Sequence, residues 1–233
     1  MMELDLRQPD ARRYFLYGVP ERGVQDLLLS LLEPGMTFMD IGSNWGYYAL
    51  LASKVVGAGG MAVAFEPDPD NIDCIRRNMS LNPGLDVTVE GVAVADIEGE
   101  ATFHVGADSG KGSLLQHSSG DGRSFTVPTV TLDGYLDAHG IERVDVLKMD
   151  IEGGEVLALE GMADGLEAGR YGHIVLEWHV QSQAALGERA ARALDLLRSS
   201  GYEVLIADLA GGHRPLTPEA LEAKRVYLYC RRR

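Results

Sequence analysis

From residue 36 onward the chain alternates short apolar runs with longer segments of helical period, and this alternation restricts the fold more than any other feature. "MTFMDIG" reads as a strand, "YYALLASKVV" as a helix that stops at the "GAGG" of 57–60, and "MAVAFEP" as a second strand. "DPDNIDCIRRNMSLN" follows as a helix with Asp68 or Asp70 near its N-terminus, and "DVTVEGVAV" as a third strand. Such a βαβαβ series demands a parallel sheet with right-handed crossovers. The rhythm returns with "VDVLKMDI" as a strand, "EVLALEGMADGLE" as a helix and "HIVLEWHV" as a strand. Leu186, Ala190, Ala193, Leu194 and Leu197 then trace one face of a further helix. "YEVLIADL" and "RVYLYC", parted by a turn-rich stretch, predict an antiparallel last strand. The expected fold is α/β and Rossmann-like: about seven strands, mostly parallel, with helices on both faces.

Two segments stand outside this rhythm. Residues 1–35 read as a helical lead-in, with Leu27, Leu28, Leu31 and Leu32 as its apolar stripe and "EPG" as its stop, so the chain divides into 1–35 and 36–233. Around 99–132, "GEATFHVG" and "SFTVPTVTL" form a β-rich insertion about a Gly/Ser loop at 106–123, of a length typical of a functional lid or of disorder.

Charge and composition narrow the partners. The chain carries 21 basic and 35 acidic residues, a net charge of −14, which is a poor field for a phosphate backbone or an anionic lipid surface. No apolar run approaches the roughly 20 residues of a membrane span, and the N-terminus lacks a signal-peptide core, so a cytoplasmic protein with neither nucleic-acid nor membrane partner is expected. Cys74 and Cys230 match no metal or redox spacing and are expected in the core.

The chemistry gathers at predicted strand ends, where open parallel sheets bind ligands. The first strand runs into Asp40, Gly42, Asn44 and Gly46. Gly42 permits the tight turn, and Gly46 is expected to let the next helix pack closely on the strand. A dinucleotide turn takes glycine where Asn44 stands, and Asp40 adds negative charge, so a pyrophosphate is disfavoured. A cationic ligand with an amino-acid end fits better: Asp40 faces the positive charge and the turn N–H groups hold a carboxylate. S-adenosyl-L-methionine answers to that description. Glu66, at the tip of the second strand, is placed to accept both ribose hydroxyls.

A third cluster breaks the apolar pattern of buried parallel strands. Asp150 and Glu152 end one strand, Glu177 and His179 the next, each pair on one face by period two, with Trp178 opposite. His179 is expected as general base and Asp150 as the second candidate, each near the incoming nucleophile. The same carboxylates and imidazole also suit a divalent metal such as magnesium.

With those residues in view, the sequence resembles the FkbM family of S-adenosylmethionine-dependent methyltransferases. The likeness rests on "MDIGSNWGYYALLAS", "AVAFEPDPDNIDCIRRNMSLN", "AVADIEGEATF", "VPTVTLDGYL", "VDVLKMDIEGGEVLALEGM" and "IVLEWH", in order from about residue 38 to 180. It implies a class I methyltransferase fold and methyl transfer, most often to a hydroxyl of a sugar, glycan or natural product. It places Asp40, Gly42, Asn44 and Gly46 in the cofactor turn, Glu66 on the ribose, Asp96 near the adenine, and Asp150, Glu152 and His179 towards the acceptor. The family commonly has alanine where Ser43 stands and varied residues at Trp45. No D-P-P-Y type sequence follows the fourth strand, which disfavours amide or adenine-amino methylation and leaves N-methylation of a small molecule behind O-methylation. The acceptor, a small molecule or carbohydrate, is expected between the 106–123 loop, the N-terminal helices and the C-terminal segment. Two alternatives stay open: an NAD(P)-binding oxidoreductase, and a non-catalytic module that binds S-adenosylmethionine or a partner.

Overall fold

The computed structural model describes residues 1–7, 9–19, 21–106, 112–115, 122–180, 186–208 and 212–232. Helices α1 (Pro9–Tyr17) and α2 (Arg22–Leu31) lead into strand β1 (Thr37–Ile41), helix α3 (Tyr47–Val56), strand β2 (Met61–Phe65), helix α4 (Pro69–Ser80) and strand β3 (Thr88–Glu90). Asp68 caps α4, its carboxylate accepting the Asp70 N–H at 3.0 Å, and Pro69 fills the first helical position, where no N–H is needed.

The segment read as one third strand is two. After β3 the chain leaves the main sheet, and β4 (Ala93–Val94) pairs instead with β7 (Arg123–Val130). With β5 (Gly99–Val105) and β6 (Gly112–Ser113) these form a second sheet in the order β4-β7-β5-β6. The β-rich insertion is therefore a small sheet with its own apolar seam of Ala93, Phe103, Val105 and Val127. Residues 107–111 and 116–121 of the expected loop lie outside the described residues.

Helix α5 (Leu132–Ala138) follows, capped by the Thr131 hydroxyl, and then β8 (Val144–Met149). The single helix expected next is divided into α6 (Glu155–Glu160) and α7 (Ala163–Ala168). At the break, a Cβ on Gly161 would lie 2.1 Å from the Ala95 carbonyl oxygen, so the backbones are packed too closely for a side chain. Strand β9 (Tyr171–Trp178), helix α8 (Glu188–Ser199) and strands β10 (Tyr202–Ala207), β11 (His213–Pro215) and β12 (Val226–Arg232) complete the chain.

The main sheet runs β11-β10-β12-β9-β8-β1-β2-β3. β1, β2, β3, β8 and β9 pair in parallel, while β12 slots antiparallel between β9 and β10. Among the described residues this gives eight strands rather than about seven, because β11 adds an antiparallel edge to β10. Helices cover both faces: Leu136, Leu159, Leu166 and Leu197 with one, Leu28, Tyr48 and Val56 with the other. Cys74 and Cys230 are buried and free. Among the described residues no helix is long and apolar enough to cross a membrane. Leu147, wholly buried in β8 at the centre of the sheet, has little room for relaxation around it. Leu147→Ala is expected to cost about 2–5 kcal/mol of stability, read as a lower urea midpoint with an unchanged slope.

Candidate active site

A cavity of about 370 Å³ opens at the carboxyl ends of β1, β2 and β8, a volume suited to a small molecule. Its walls include Gly42, Ser43 and Asn44 of the turn after β1, Glu66 and Pro67 after β2, and Lys148, Asp150 and Glu152 at and beyond the end of β8. Phe103, Gly112 and Leu114 enter from the second sheet, and Tyr14, Glu21, Tyr48, Arg225 and Tyr227 from the N-terminal helices, α3 and the last strand.

The turn after β1 is built from the inside. Gly42 has φ +79°, and a Cβ there would lie 2.0 Å from the Asp150 carbonyl oxygen, so glycine lets the ends of β1 and β8 touch. Asn44 takes φ +51°, a left-handed conformation that asparagine tolerates better than most residues. The N–H groups of Gly42 and Ser43 both donate to the Phe65 carbonyl, at 3.0 and 3.1 Å, and that of Asn44 donates to Glu66 Oε2 at 2.7 Å. Those donors are spent within the protein, which corrects the expectation that they would hold a ligand carboxylate. Gly46, φ +81°, packs against Ile75 of α4, where a Cβ would come within 3.1 Å, and not on the strand as expected.

Glu66 is buried in the wall and accepts the Asn44 and Asp68 N–H groups, the latter at 2.9 Å. Burial pushes its carboxyl up to about 7, against the pull of those two donors. Asn44 Oδ1 is buried and, among the described residues, has no hydrogen-bond partner.

Asp40 does not face the cavity. It is fully buried, accepts the Ser43 hydroxyl at 2.8 Å, and stands opposite Lys148 in the register of β1 and β8. Lys148 Nζ lies 3.6 Å from Asp40 Oδ1, 3.8 Å from Asp150 Oδ2 and 5.0 Å from the centre of the Tyr48 ring. Burial works against the ammonium, but Asp40 and Asp150 outweigh it and hold the proton on. Burial likewise pushes the Asp40 carboxyl up, opposed by Lys148. The cation that Asp40 was expected to meet in a ligand is thus a lysine of the chain itself. Strand-end patterning does not single out Lys148, although a lysine inside the apolar run "VLKM" is a visible signal.

Asp150, Glu152 and His179 do converge: one ligand atom from each lies within 4.8 Å of the others. Glu152 reaches the group through a turn at φ +51° and not through strand alternation, since β8 ends at Met149. His179 bonds Glu155 through Nδ1 at 3.0 Å and stands 3.2 Å from Glu152 through Nε2, with Glu177 at 3.8 Å. Burial opposes a charge on this ring, yet the bonds to Glu152 and Glu155 overcome it and push the imidazole up to about 11. Glu152 and Glu155 thus hold the proton on His179, which weighs against the general-base role expected for it. His179 is also absent from the cavity wall. Glu155, which strand-end patterning likewise does not single out, is wholly buried and accepts the Gly153 N–H at 3.1 Å, tying the loop to the imidazolium. Glu177 pairs with Arg225 at 2.6 Å, and burial together with Asp150 pushes its carboxyl up to about 7. Asp150 lines the cavity, and among the described residues its buried Oδ1 has no hydrogen-bond partner.

Asp96 is not brought to the cavity. Its carboxylate takes the Arg189 guanidinium of α8 at 2.9 Å, which also grips Glu160.

A family model described as the methyltransferase FkbM domain matches residues 40–204. The hexuronic acid methyltransferase AglP of Haloferax volcanii is 27% identical over 161 residues, covering 68% of this chain; the chain spans 63% of that relative's length. The 2-O-methyltransferase NoeI of Sinorhizobium fredii is 31% identical over 190 residues, 74% of this chain and 75% of the relative. A solved rRNA methylase from Streptococcus thermophilus has a TM-score of 0.51 at 9% identity, over 90% of this chain and 93% of that one, a likeness of fold alone.

The buried charge triad makes its own prediction. Lys148→Met leaves Asp40 without a counter-charge and is expected to cost about 3 kcal/mol or more at pH 8. A carboxyl whose folded pKa is raised binds its proton more tightly when folded, so stability is lost as pH rises, and the cost should shrink at pH 5. Urea unfolding at both pH values checks this; an equal cost at each would show that Asp40 is not the group being compensated.

Proposed function

The chain belongs to the FkbM family of methyltransferases, and from that premise we propose that it moves a methyl group from S-adenosyl-L-methionine to a hydroxyl oxygen of a small molecule or carbohydrate. The observation that carries this reading is the cavity at the β1 and β2 tips, with a buried carboxylate and an unpartnered amide oxygen in its wall. These fit the cofactor: Glu66 would accept the ribose hydroxyls, and Asn44 Oδ1 would accept from the amino group. S-adenosylmethionine supplies an electrophilic methyl group on a sulfonium. The chain then has to position the acceptor, exclude water and receive one proton. Asp150 is the candidate for that proton, because its Oδ1 is unpartnered in the wall while Lys148 stands beside Oδ2. Glu152 also lines this end of the cavity, and His179 acts behind it as a fixed cation that holds the Glu152–Glu155 loop.

A carbohydrate acceptor is supported by the relative named for a hexuronic acid, and oxygen as the acceptor atom by the relative named for 2-O-methylation. A dinucleotide is disfavoured, since the N–H groups of Gly42, Ser43 and Asn44 are already donated to Phe65 and Glu66. Asp150, Glu152 and His179 are spaced to share a divalent ion, but the imidazolium already balances part of their charge, and a metal would have to displace its proton. Metal-independent turnover is the expected behaviour.

The direct test is transfer of labelled methyl from S-adenosylmethionine to a panel of neutral and acidic glycosides, with mild alkali separating ethers from esters. Alkali-stable label is expected; label released by alkali would show methylation of a carboxylate, and label found only on amines N-methylation, and either would contradict a hydroxyl acceptor. Asp150→Asn should slow transfer by roughly a hundredfold or more while S-adenosylhomocysteine still binds. EDTA should leave the rate unchanged, and a loss restored by magnesium would assign an ion to Asp150, Glu152 and His179.

A further inference from the structure

Among the described residues, one cation of the second sheet grips the turn beside the cavity. Arg123, the first residue of β7, places Nη2 2.5 Å from Asp68 Oδ1, with Asp68 Oδ2 also at 2.5 Å, and Nη1 2.8 Å from Asp70 Oδ2. Its guanidinium also lies 5.3 Å over the centre of the Phe125 ring. Asp68 is buried, caps α4 and gives its N–H to Glu66 Oε1, whose partner oxygen takes the Asn44 N–H. A single guanidinium on the second sheet is therefore one residue removed from the buried carboxylate in the cavity wall.

The same sheet supplies part of that wall. Phe103 and Leu114 line it, and Gly112 lets β6 lie on the Phe103 ring, since a Cβ at 112 would come within 2.2 Å of that ring. Topology settles which end is covered. Arg123 and β4 attach beside β2 and β3, whereas Asp150 follows β8, on the far side of β1. The apolar surfaces of Phe65, Val92, Val94, Phe103 and Leu114 thus gather at the Glu66 end. A planar, weakly polar ring beside a diol suits that end, and a sugar hydroxyl awaiting deprotonation does not.

We propose that the second sheet is the wall of the nucleoside end of the cavity, and that Arg123 is a positioning residue that holds this wall against the Glu66 turn. The inference rests on the cofactor reading above. It assigns the strands of the β-rich insertion to the cofactor, whereas the sequence suggested the acceptor for the 106–123 loop between them. It also leaves the acceptor to the surface around Tyr14, Glu21, Tyr48, Arg225 and Tyr227. Arg123 is half exposed, so its pairs add little to global stability, and their effect falls on the local geometry of the wall.

Calorimetric titration with two probes tests this: S-adenosylhomocysteine, and 5′-methylthioadenosine, which keeps the nucleoside and lacks the amino-acid end. Arg123→Ala is expected to weaken both by the same factor, roughly fivefold to tenfold, with the melting temperature almost unchanged. Arg123→Lys, which keeps a charge without the fork, should recover part of both. Unaltered affinities in Arg123→Ala would overturn the inference, as would a loss confined to S-adenosylhomocysteine or a loss that the lysine variant does not relieve. Failure of the unsubstituted protein to bind either probe would instead overturn the cofactor reading itself, and the inference with it.

Discussion

Lys148 carries a charge in the middle of a parallel sheet, and much of the site depends on how that charge is balanced. Asp40 on the neighbouring strand stands opposite it in register, and Asp150 closes over it at the strand end. One cation between two carboxylates leaves a net negative charge, and the exposed share of it falls on Asp150, in the cavity. An unpaired buried ion is costly, so the three side chains are held to one arrangement. Gly42 allows that arrangement, because only a residue without Cβ lets the ends of β1 and β8 meet above the charges.

The remaining charges are arranged around two ends of one cavity. At the Glu66 end, a buried carboxylate is held by backbone N–H groups and walled by apolar side chains from the second sheet. At the Asp150 end, Glu152, Glu155 and Glu177 surround the His179 imidazolium, while Glu21 accepts hydroxyl hydrogen bonds from Tyr227 at 2.5 Å and Tyr48 at 3.2 Å. Around the Asp150 end, Asp40, Asp150, Glu152, Glu155 and Glu177 are each paired with Lys148, His179 or Arg225.

Much of this was legible in the residues, for physical reasons. Apolar runs ending in Asp40, Glu66, Asp150 and Glu177 marked the strand tips, because a buried parallel strand tolerates a charge only where it meets a site or a partner. Periodicity does not report partners. Asp40 was matched to a ligand's cation because the lysine opposite it becomes visible only with the register of β1 and β8. An isolated imidazole titrates near neutrality, which points to a base at His179, and the carboxylates of Glu152 and Glu155, from the loop after β8 and the start of α6, change that. The pairing of Asp96 with Arg189 was equally invisible, because α8 is far from it in the sequence. The division of "DVTVEGVAV" between two sheets and of one helix at Gly161 follows from tertiary contacts that a linear pattern does not contain.

The central claim is that the turn after β1 and Glu66 together hold an adenosyl amino acid and not a dinucleotide. Calorimetric titration of the purified protein with S-adenosylhomocysteine, beside NAD and NADP and repeated on Glu66→Ala, tests it most directly. The account predicts low-micromolar binding of S-adenosylhomocysteine alone, clearly weakened in the variant. A preference for either dinucleotide, or binding that is indifferent to the loss of Glu66, would contradict it.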